Sequence, residues 1–208
     1  MSRVRKHIAV IALCLLPAVA FSQNNKKESI FSAGLLAGLN MAQIDGDGVA
    51  GYNKVGLNLG GVAFIRLHQN WKLGFEILYS QKGSRTKITQ WRNPNESFKI
   101  ILDYLEVPVM LYFTDGTKAM FGAGFSYGNL IREKSFVGGY ETPNPYVGSF
   151  FNEDFNGIVA VTFLFGQHWG VNLRGAYSIA TIGVSNTRGS GNRAVFSNYL
   201  SARLMYTF

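Results

Sequence analysis

The sequence predicts an all-β fold, an eight-stranded antiparallel up-and-down transmembrane β-barrel, on three observations. Trp71, Leu73, Phe75, Ile77 and Tyr79 alternate without a break with Lys72, Gly74, Glu76 and Leu78. Further stretches repeat that period of two, and the connections between them are alternately long and short. A row that begins with Trp and ends with Tyr suits a strand crossing a bilayer, because amphipathic rings settle at both interfaces. The opposite row then faces a wet interior.

The first strand, 31–41, sets Phe31, Ala33, Leu35, Ala37, Leu39 and Met41 against Ser32, Gly34, Gly38 and Asn40. The second, 56–67, sets Leu57, Leu59, Ala63, Ile65 and Leu67 against Asn58, Gly60 and Arg66, and the third is 71–79. In the fourth, 102–113, Leu105, Val107, Val109, Leu111 and Phe113 face away from Tyr104, Glu106 and Tyr112. Pro108 has no N–H to give the ladder there, so a bulge or a lost hydrogen bond is expected. The fifth, 119–130, opposes Phe121, Ala123, Phe125 and Tyr127 to Gly122, Gly124, Ser126 and Gly128. The sixth, 155–165, alternates Val159, Val161 and Phe163 with Asn156, Ala160 and Thr162. The seventh, 169–182, again has aromatics at both ends, Trp169 and Tyr177, with Asn172, Arg174 and Ser178 opposite. The eighth, 199–208, sets Leu200, Ala202, Leu204, Tyr206 and Phe208 against Ser201, Arg203 and Thr207. Each has about the 9–11 residues of a tilted membrane strand.

Connections 68–70, 114–118 and 166–168 are short, whereas 42–55, 83–101, 131–154 and 183–198 are long. Outer-membrane barrels have short periplasmic turns and longer outside loops, so both chain ends are expected in the periplasm. A soluble lipocalin-type barrel would put apolar residues inside and polar ones outside. The placement of Arg66, Glu76, Glu106, Arg174 and Arg203 opposite the aromatic rows argues against it. Terminal Phe208, with Tyr206 and Leu204 on its face, resembles the signal read by the barrel-assembly machinery.

Targeting agrees. Arg3, Arg5 and Lys6 precede an apolar run and the small residues Ala18 and Ala20, the parts of a secretory signal. Residues 1–22 are therefore expected to be removed, by cleavage after Ala20 or Ser22, leaving 23–208 as the barrel domain. The run is short of the roughly 20 residues of a membrane helix and contains Pro17. Cys14 goes with the signal, and Leu13 stands where a lipid-attachment site needs a small residue. The mature chain then has no disulfide, no thiolate nucleophile and no cysteine metal site. Losing three basic residues takes Lys plus Arg from 20 to 17 against 12 acidic residues. That excess is spread over loops and strands rather than gathered on one surface, which excludes a nucleic-acid binder.

Four passages carry a resemblance: FSAGLLAGLNMAQIDG, LGFEILYSQKGSR, DYLEVPVMLYF, and LRGAYSIATIGV leading to YLSARLMYTF. The chain resembles the small outer-membrane β-barrel family of Bacteroidetes-type bacteria, called PorT-like or outer membrane protein β-barrel domain. The most specific runs are Tyr79 to Gly83 and Tyr104 to Pro108. The resemblance implies an OmpA/OmpX-like membrane barrel in a Gram-negative outer membrane and transfers no catalytic residue. One branch of the family is associated with protein secretion.

The expected sites follow from facing. Arg66, Glu76, Glu106, Arg174 and Arg203 should pair inside, since a closed eight-stranded barrel is only wide enough for its own side chains. Trp71, Tyr79, Trp169, Tyr177 and Phe208 should mark the membrane interfaces. Phe136, Tyr140, Tyr146, Phe150 and Phe151, in the longest loop, are candidates for anchoring a partner, and the simpler expectation is that they pack over the barrel mouth or rest in lipopolysaccharide. Asp45-Gly46-Asp47-Gly48 resembles part of a calcium loop but lacks the later bidentate Glu. No metal or cofactor is expected. Outside the signal only His68 and His168 remain, both in predicted turns, with no Ser/His/acid grouping, zinc spacing or phosphate loop. The sequence therefore predicts no enzyme. It predicts a monomer that meets membrane lipid and lipopolysaccharide, with secretion-machinery or surface proteins as further partners.

Overall fold

The computed structural model describes residues 29–47, 51–86, 97–116, 118–143, 147–185 and 193–208. The expected signal peptide lies outside them. Among the described residues eleven strands occur: β1 (Phe31–Asp45), β2 (Lys54–Arg66), β3 (Trp71–Arg85), β4 (Phe98–Thr114), β5 (Ala119–Val137), β6 (Tyr140–Glu141), β7 (Val147–Phe150), β8 (Glu153–Phe165), β9 (Trp169–Ser178), β10 (Gly183–Ser185) and β11 (Arg193–Thr207). Eight of them, β1-β2-β3-β4-β5-β8-β9-β11, pair in that order, and β11 returns antiparallel to β1 to close the barrel. The short strands continue the wall at one end: β6 on β5, and β7-β10 on β11.

Period two decides what faces where. Leu35, Leu39, Leu57, Leu59, Phe75, Ile77, Val109, Phe125, Val159, Phe163, Leu173 and Leu204 are exposed on the outer face. So continuous an apolar surface marks contact with a nonaqueous medium. Aromatic pairs bound it. Trp71 meets Phe113 at 5.2 Å and Trp169 meets Tyr206 at 4.8 Å at the turn end, while Tyr127 meets Phe155 at 5.2 Å at the other. Phe75 sits midway along its row. Phe75→Arg is expected to cost about 2–4 kcal/mol, the penalty of a lipid-facing charge at mid-bilayer, read from urea unfolding in lipid vesicles.

The strands outrun the apolar band. β3 continues to Arg85 rather than ending at Tyr79, β5 to Val137 rather than 130, and β4 and β11 begin at Phe98 and Arg193 rather than 102 and 199. Much of what the sequence marked as loop is thus strand, because hydrogen-bond pairing needs no lipid while the hydrophobic signal ends where lipid ends. The seventh strand is shorter than expected, ending at Ser178. Opposite Pro108 the β3–β4 pairing lapses between Phe75 and Leu78 with no change of register. The register shift falls higher, between Asp103 and Tyr104, where β5 carries Ile131 unopposed.

Inside, two apolar layers enclose a polar middle. Leu36, Phe64, Met110, Tyr112, Met120 and Met205 pack toward the turns. Ile44, Ile100, Leu102, Phe150, Ile182 and Val195 pack toward the far end.

Candidate functional site

The polar middle is two linked ionic clusters. In the lower one, Glu76 of β3 accepts from Arg174 of β9 at 2.6 Å, from Arg203 of β11 at 3.2 Å and from the Tyr112 hydroxyl at 3.1 Å. Arg203 also donates through Nε and Nη2 to Asn172, whose amide donates to Thr162 at 2.7 Å. Asn58 donates to Asn40 at 3.0 Å, Asn40 donates to Ser80 at 3.0 Å, and the Ser201 hydroxyl donates to Asn40. In the upper cluster the Lys82 ammonium bridges Glu106 at 2.5 Å and Asp154 at 2.7 Å. It lies 4.9 Å from the Tyr104 ring and 4.6 Å from the Tyr199 ring, an attraction that desolvation strengthens. Tyr199 donates to Glu106 at 3.1 Å and Ser178 to Asp154 at 2.7 Å.

These side chains are buried. Glu76, Glu106 and Asp154 balance Lys82, Arg174 and Arg203, so the set is neutral as a whole. Neutrality matters because an isolated charge in such a site costs several kcal/mol or more, and only close pairing offsets it.

Room for these groups comes from the small inner row of β5. A Cβ on Gly122 would come within 2.5 Å of the Tyr112 ring, and one on Gly128 within 3.3 Å of Glu106 and 3.4 Å of Tyr104. The large β4 side chains therefore lie across the β5 glycines. Gly122→Ala should displace Tyr112, the Glu76 donor, and cost about 1–3 kcal/mol as an overpacking change, seen as a lower temperature for the unfolded-band shift on gels.

Of the five expected interior charges, Glu76, Arg174 and Arg203 meet directly, and Glu106 joins Lys82 instead. Arg66 is a correction: it stands at the turn end of β2, half-buried and in register with Lys72. It is four residues beyond Val62, the partner of Glu76, and the apolar turn-end layer lies between. Asp154 falls in the expected 131–154 connection, and Lys82 lies beyond Tyr79, where the third apolar row ends, so neither was among the expected interior charges. Their inward parity with Glu76 and Asn156 was the available signal.

Trp71, Trp169, Tyr177 and Phe208 are exposed on the outer face at the band edges, and Tyr79 is half-buried. The loop aromatics separate. Phe136 lies in β5, Tyr140 is exposed on β6, Phe151 is exposed, and Tyr146 lies outside the described residues. Phe150 is buried in the far apolar layer, so it packs the barrel mouth rather than meeting a partner. Asp45 already accepts from Gln43 at 2.6 Å and Asn198 at 2.7 Å, so the calcium-like run uses its first carboxylate on amides. His168 contacts the Thr207 carbonyl at 2.8 Å and tethers the last strand to its turn.

Above the aromatic belt, the outer face of β3, β4 and β5 carries charges. Arg132 and Gln81 both donate to Asp103, Gln81 at 2.9 Å, and Lys134 pairs with Glu141 at 2.8 Å. Lys54 donates to Gln81 at 3.2 Å. Its ammonium is pushed down to about 8 by burial first and then by Lys99, with Asp103 opposing and Arg85 adding.

A family model described as "Outer membrane protein beta-barrel domain" matches residues 21–183. Among solved structures, the attachment invasion locus protein Ail of Yersinia pestis is similar with a TM-score of 0.51 and 12% identity, over 86% of this chain and 100% of Ail. Ail in complex with the heparin analogue sucrose octasulfate gives 0.50 and 10%, with the same coverage of 86% and 100%. Neisserial surface protein A gives 0.49 and 18%, over 86% of this chain and 98% of its own. No curated protein matches. At such identities the likeness to Ail bears on fold alone.

Proposed function

Because the chain belongs to the outer membrane protein beta-barrel domain family, we propose that it is a free-standing barrel with a filled interior, structural or surface-interacting through the segments that project beyond its apolar band. One observation carries this reading: the interior holds a neutral, mutually paired charge set between two apolar layers. Such an arrangement sets its charges against one another and leaves the outside to do the binding.

The three short turns, the start of β1 and the end of β11 share one end of the barrel, and by the rule for outer-membrane barrels that end is the periplasmic one. The extended wall of β3, β4 and β5 then stands outside the cell, among lipopolysaccharide. Residues 1–22 serve as the export signal, and Phe208 serves recognition by the barrel-assembly machinery.

Planar-bilayer conductance tests the filled interior. Wild-type protein is expected to stay silent, and Glu106→Ala, which frees Lys82 from one carboxylate, is the variant expected to leak. Steady wild-type channels would overturn the reading. The finer PorT-like, Bacteroidetes assignment rests on the sequence passages and predicts a stable set of secretion partners in pull-downs from native membranes. A free-standing barrel should recover none. A lipid-modifying enzyme would alter the lipid A mass spectrum between wild-type and deletion strains, and the present reading predicts identical spectra.

A further inference from the structure

Near the top of the wall β5 is left with an open edge. β8 pairs with it only as far as Glu153 opposite Asn129, and β6 joins it only at Glu141 opposite Phe136. The Leu130 amide donates to the Asn152 carbonyl at 2.7 Å, and the Thr142 amide donates to the Ser135 carbonyl at 3.0 Å. Between those two bonds β5 has β4 on one side and, among the described residues, no strand on the other. A cavity of about 400 Å³ opens at that notch, lined by Glu133, Lys134, Ser135, Glu141, Thr142 and Pro143.

Of these six side chains, four end in oxygen. Because β5 carries Ile131 unopposed, Glu133 and Ser135 stand opposite Leu102 and Ile100 and share one face. Ser135 is 5% exposed, and its hydroxyl and that of Thr142 are buried without a hydrogen-bond partner. Buried hydroxyls left unmet are costly, so two at one cavity call for a shared partner. Glu133 pairs with none of the described cations, since Lys134 engages Glu141 instead, at 2.8 Å and through one carboxylate oxygen. Burial holds the Glu133 carboxyl above the usual carboxylate range, and no neighbouring charge offsets it.

We propose that this cavity binds a calcium ion, held by the Glu133 carboxylate, the Ser135 and Thr142 hydroxyls and the second carboxylate oxygen of Glu141, with water completing the shell. The donor set is all hard oxygen, with no imidazole or thiolate, which selects against zinc and copper. Ca²⁺ takes about six to eight oxygens in flexible geometry, whereas Mg²⁺ demands a near-ideal octahedron that hydroxyls on two strands do not supply. An organic cation is too large to meet hydroxyls that are already buried, and a bare ion is not. The ion ties the open edge of β5 to the segment that follows β6, and it gives Glu133 the positive charge that the described residues withhold. Two carboxylates make a weak site, so the dissociation constant should fall at about 10⁻⁴–10⁻³ M, the range of extracellular calcium modules.

The full chain is refolded into nanodiscs of zwitterionic lipid, stripped with chelator, and every variant is checked for folding by the heat-dependent gel shift. Tb³⁺ is titrated in as the probe, its luminescence excited through tyrosine, and is then displaced with Ca²⁺ or Mg²⁺. The expected result is saturable binding that Ca²⁺ reverses at a concentration about tenfold below Mg²⁺. Glu133→Gln should weaken binding about tenfold or more by removing the unpaired charge, and Ser135→Ala/Thr142→Val should weaken it in the same direction. The control Glu153→Gln removes an exposed carboxylate at the same end and should stay within about twofold of wild type. Asp45→Asn, in the calcium-like run, should also leave binding intact. No saturable binding, no loss in Glu133→Gln, equal loss in Glu153→Gln, or greater loss in Asp45→Asn overturns the proposal. Displacement by Mg²⁺ as readily as by Ca²⁺ overturns the calcium assignment. Steady channels from the same preparation would count against the filled interior alone, because the notch lies outside the ionic clusters.

Discussion

Glu76→Ala is expected to cost about 3–5 kcal/mol, the penalty for breaking a buried ion pair by removing one partner. Glu76 is the carboxylate that both Arg174 and Arg203 contact, and Tyr112 donates to it as well. Without it two buried guanidiniums would confront each other with no anion between them. Water cannot readily replace the carboxylate, because the turn-end apolar layer closes that end of the cluster. Equilibrium urea unfolding in lipid vesicles should show the loss, and the folded band on unboiled gels should disappear at lower temperature. Glu76→Gln keeps the hydrogen-bond acceptor and removes the charge, so it should fall between wild type and Glu76→Ala. Equal stability of all three proteins would show that the arginines do not depend on the carboxylate.

Lys82→Met should cost a similar amount, about 3–5 kcal/mol, for the mirror-image reason. Lys82 is the ammonium that holds Glu106 and Asp154 together, and its removal leaves two buried carboxylates side by side beneath the far apolar layer. The methionine keeps most of the stem volume, so the loss reports charge rather than a cavity. The triple variant Lys82→Met/Glu106→Gln/Asp154→Asn removes all three charges together. It should recover most of the stability, because replacing a whole buried ionic set is often close to neutral. If the triple variant unfolds as readily as Lys82→Met, packing around Tyr104 and Tyr199 rather than charge balance explains the cluster.

The facing of nearly every membrane strand was legible in the sequence because it is a local property. Leu105, Val107, Val109, Leu111 and Phe113 point outward for the same reason that Glu106 and Tyr112 point inward, the pleat, and no knowledge of neighbours is required. Arg66 shows the limit of that reasoning. Its parity is inward, yet height along the barrel, set by its pairing with Lys72, keeps it from the charge cluster. Lys82 and Asp154 show the converse, since their parity was readable but the strands were cut at the end of the apolar rows. Phe150 packs inward at the mouth, which composition cannot single out, because it marks a loop without saying which of its rings turns inward.

Sequence by itself determined the architecture: alternation, aromatic rows and the order of long and short connections require an antiparallel wall with a greasy outside and a polar inside. Only the tertiary structure decided which inward groups meet. Lys82 finds Asp154 at a separation of 72 residues and Glu76 finds Arg203 at 127. The physical reason is that closure, with β11 returning to β1 in a particular register, sets the heights at which opposite walls face each other across the interior. The same register places Arg85 beside Lys99 on the outside. Period two says which way a side chain points, and pairing across strands says what it finds there.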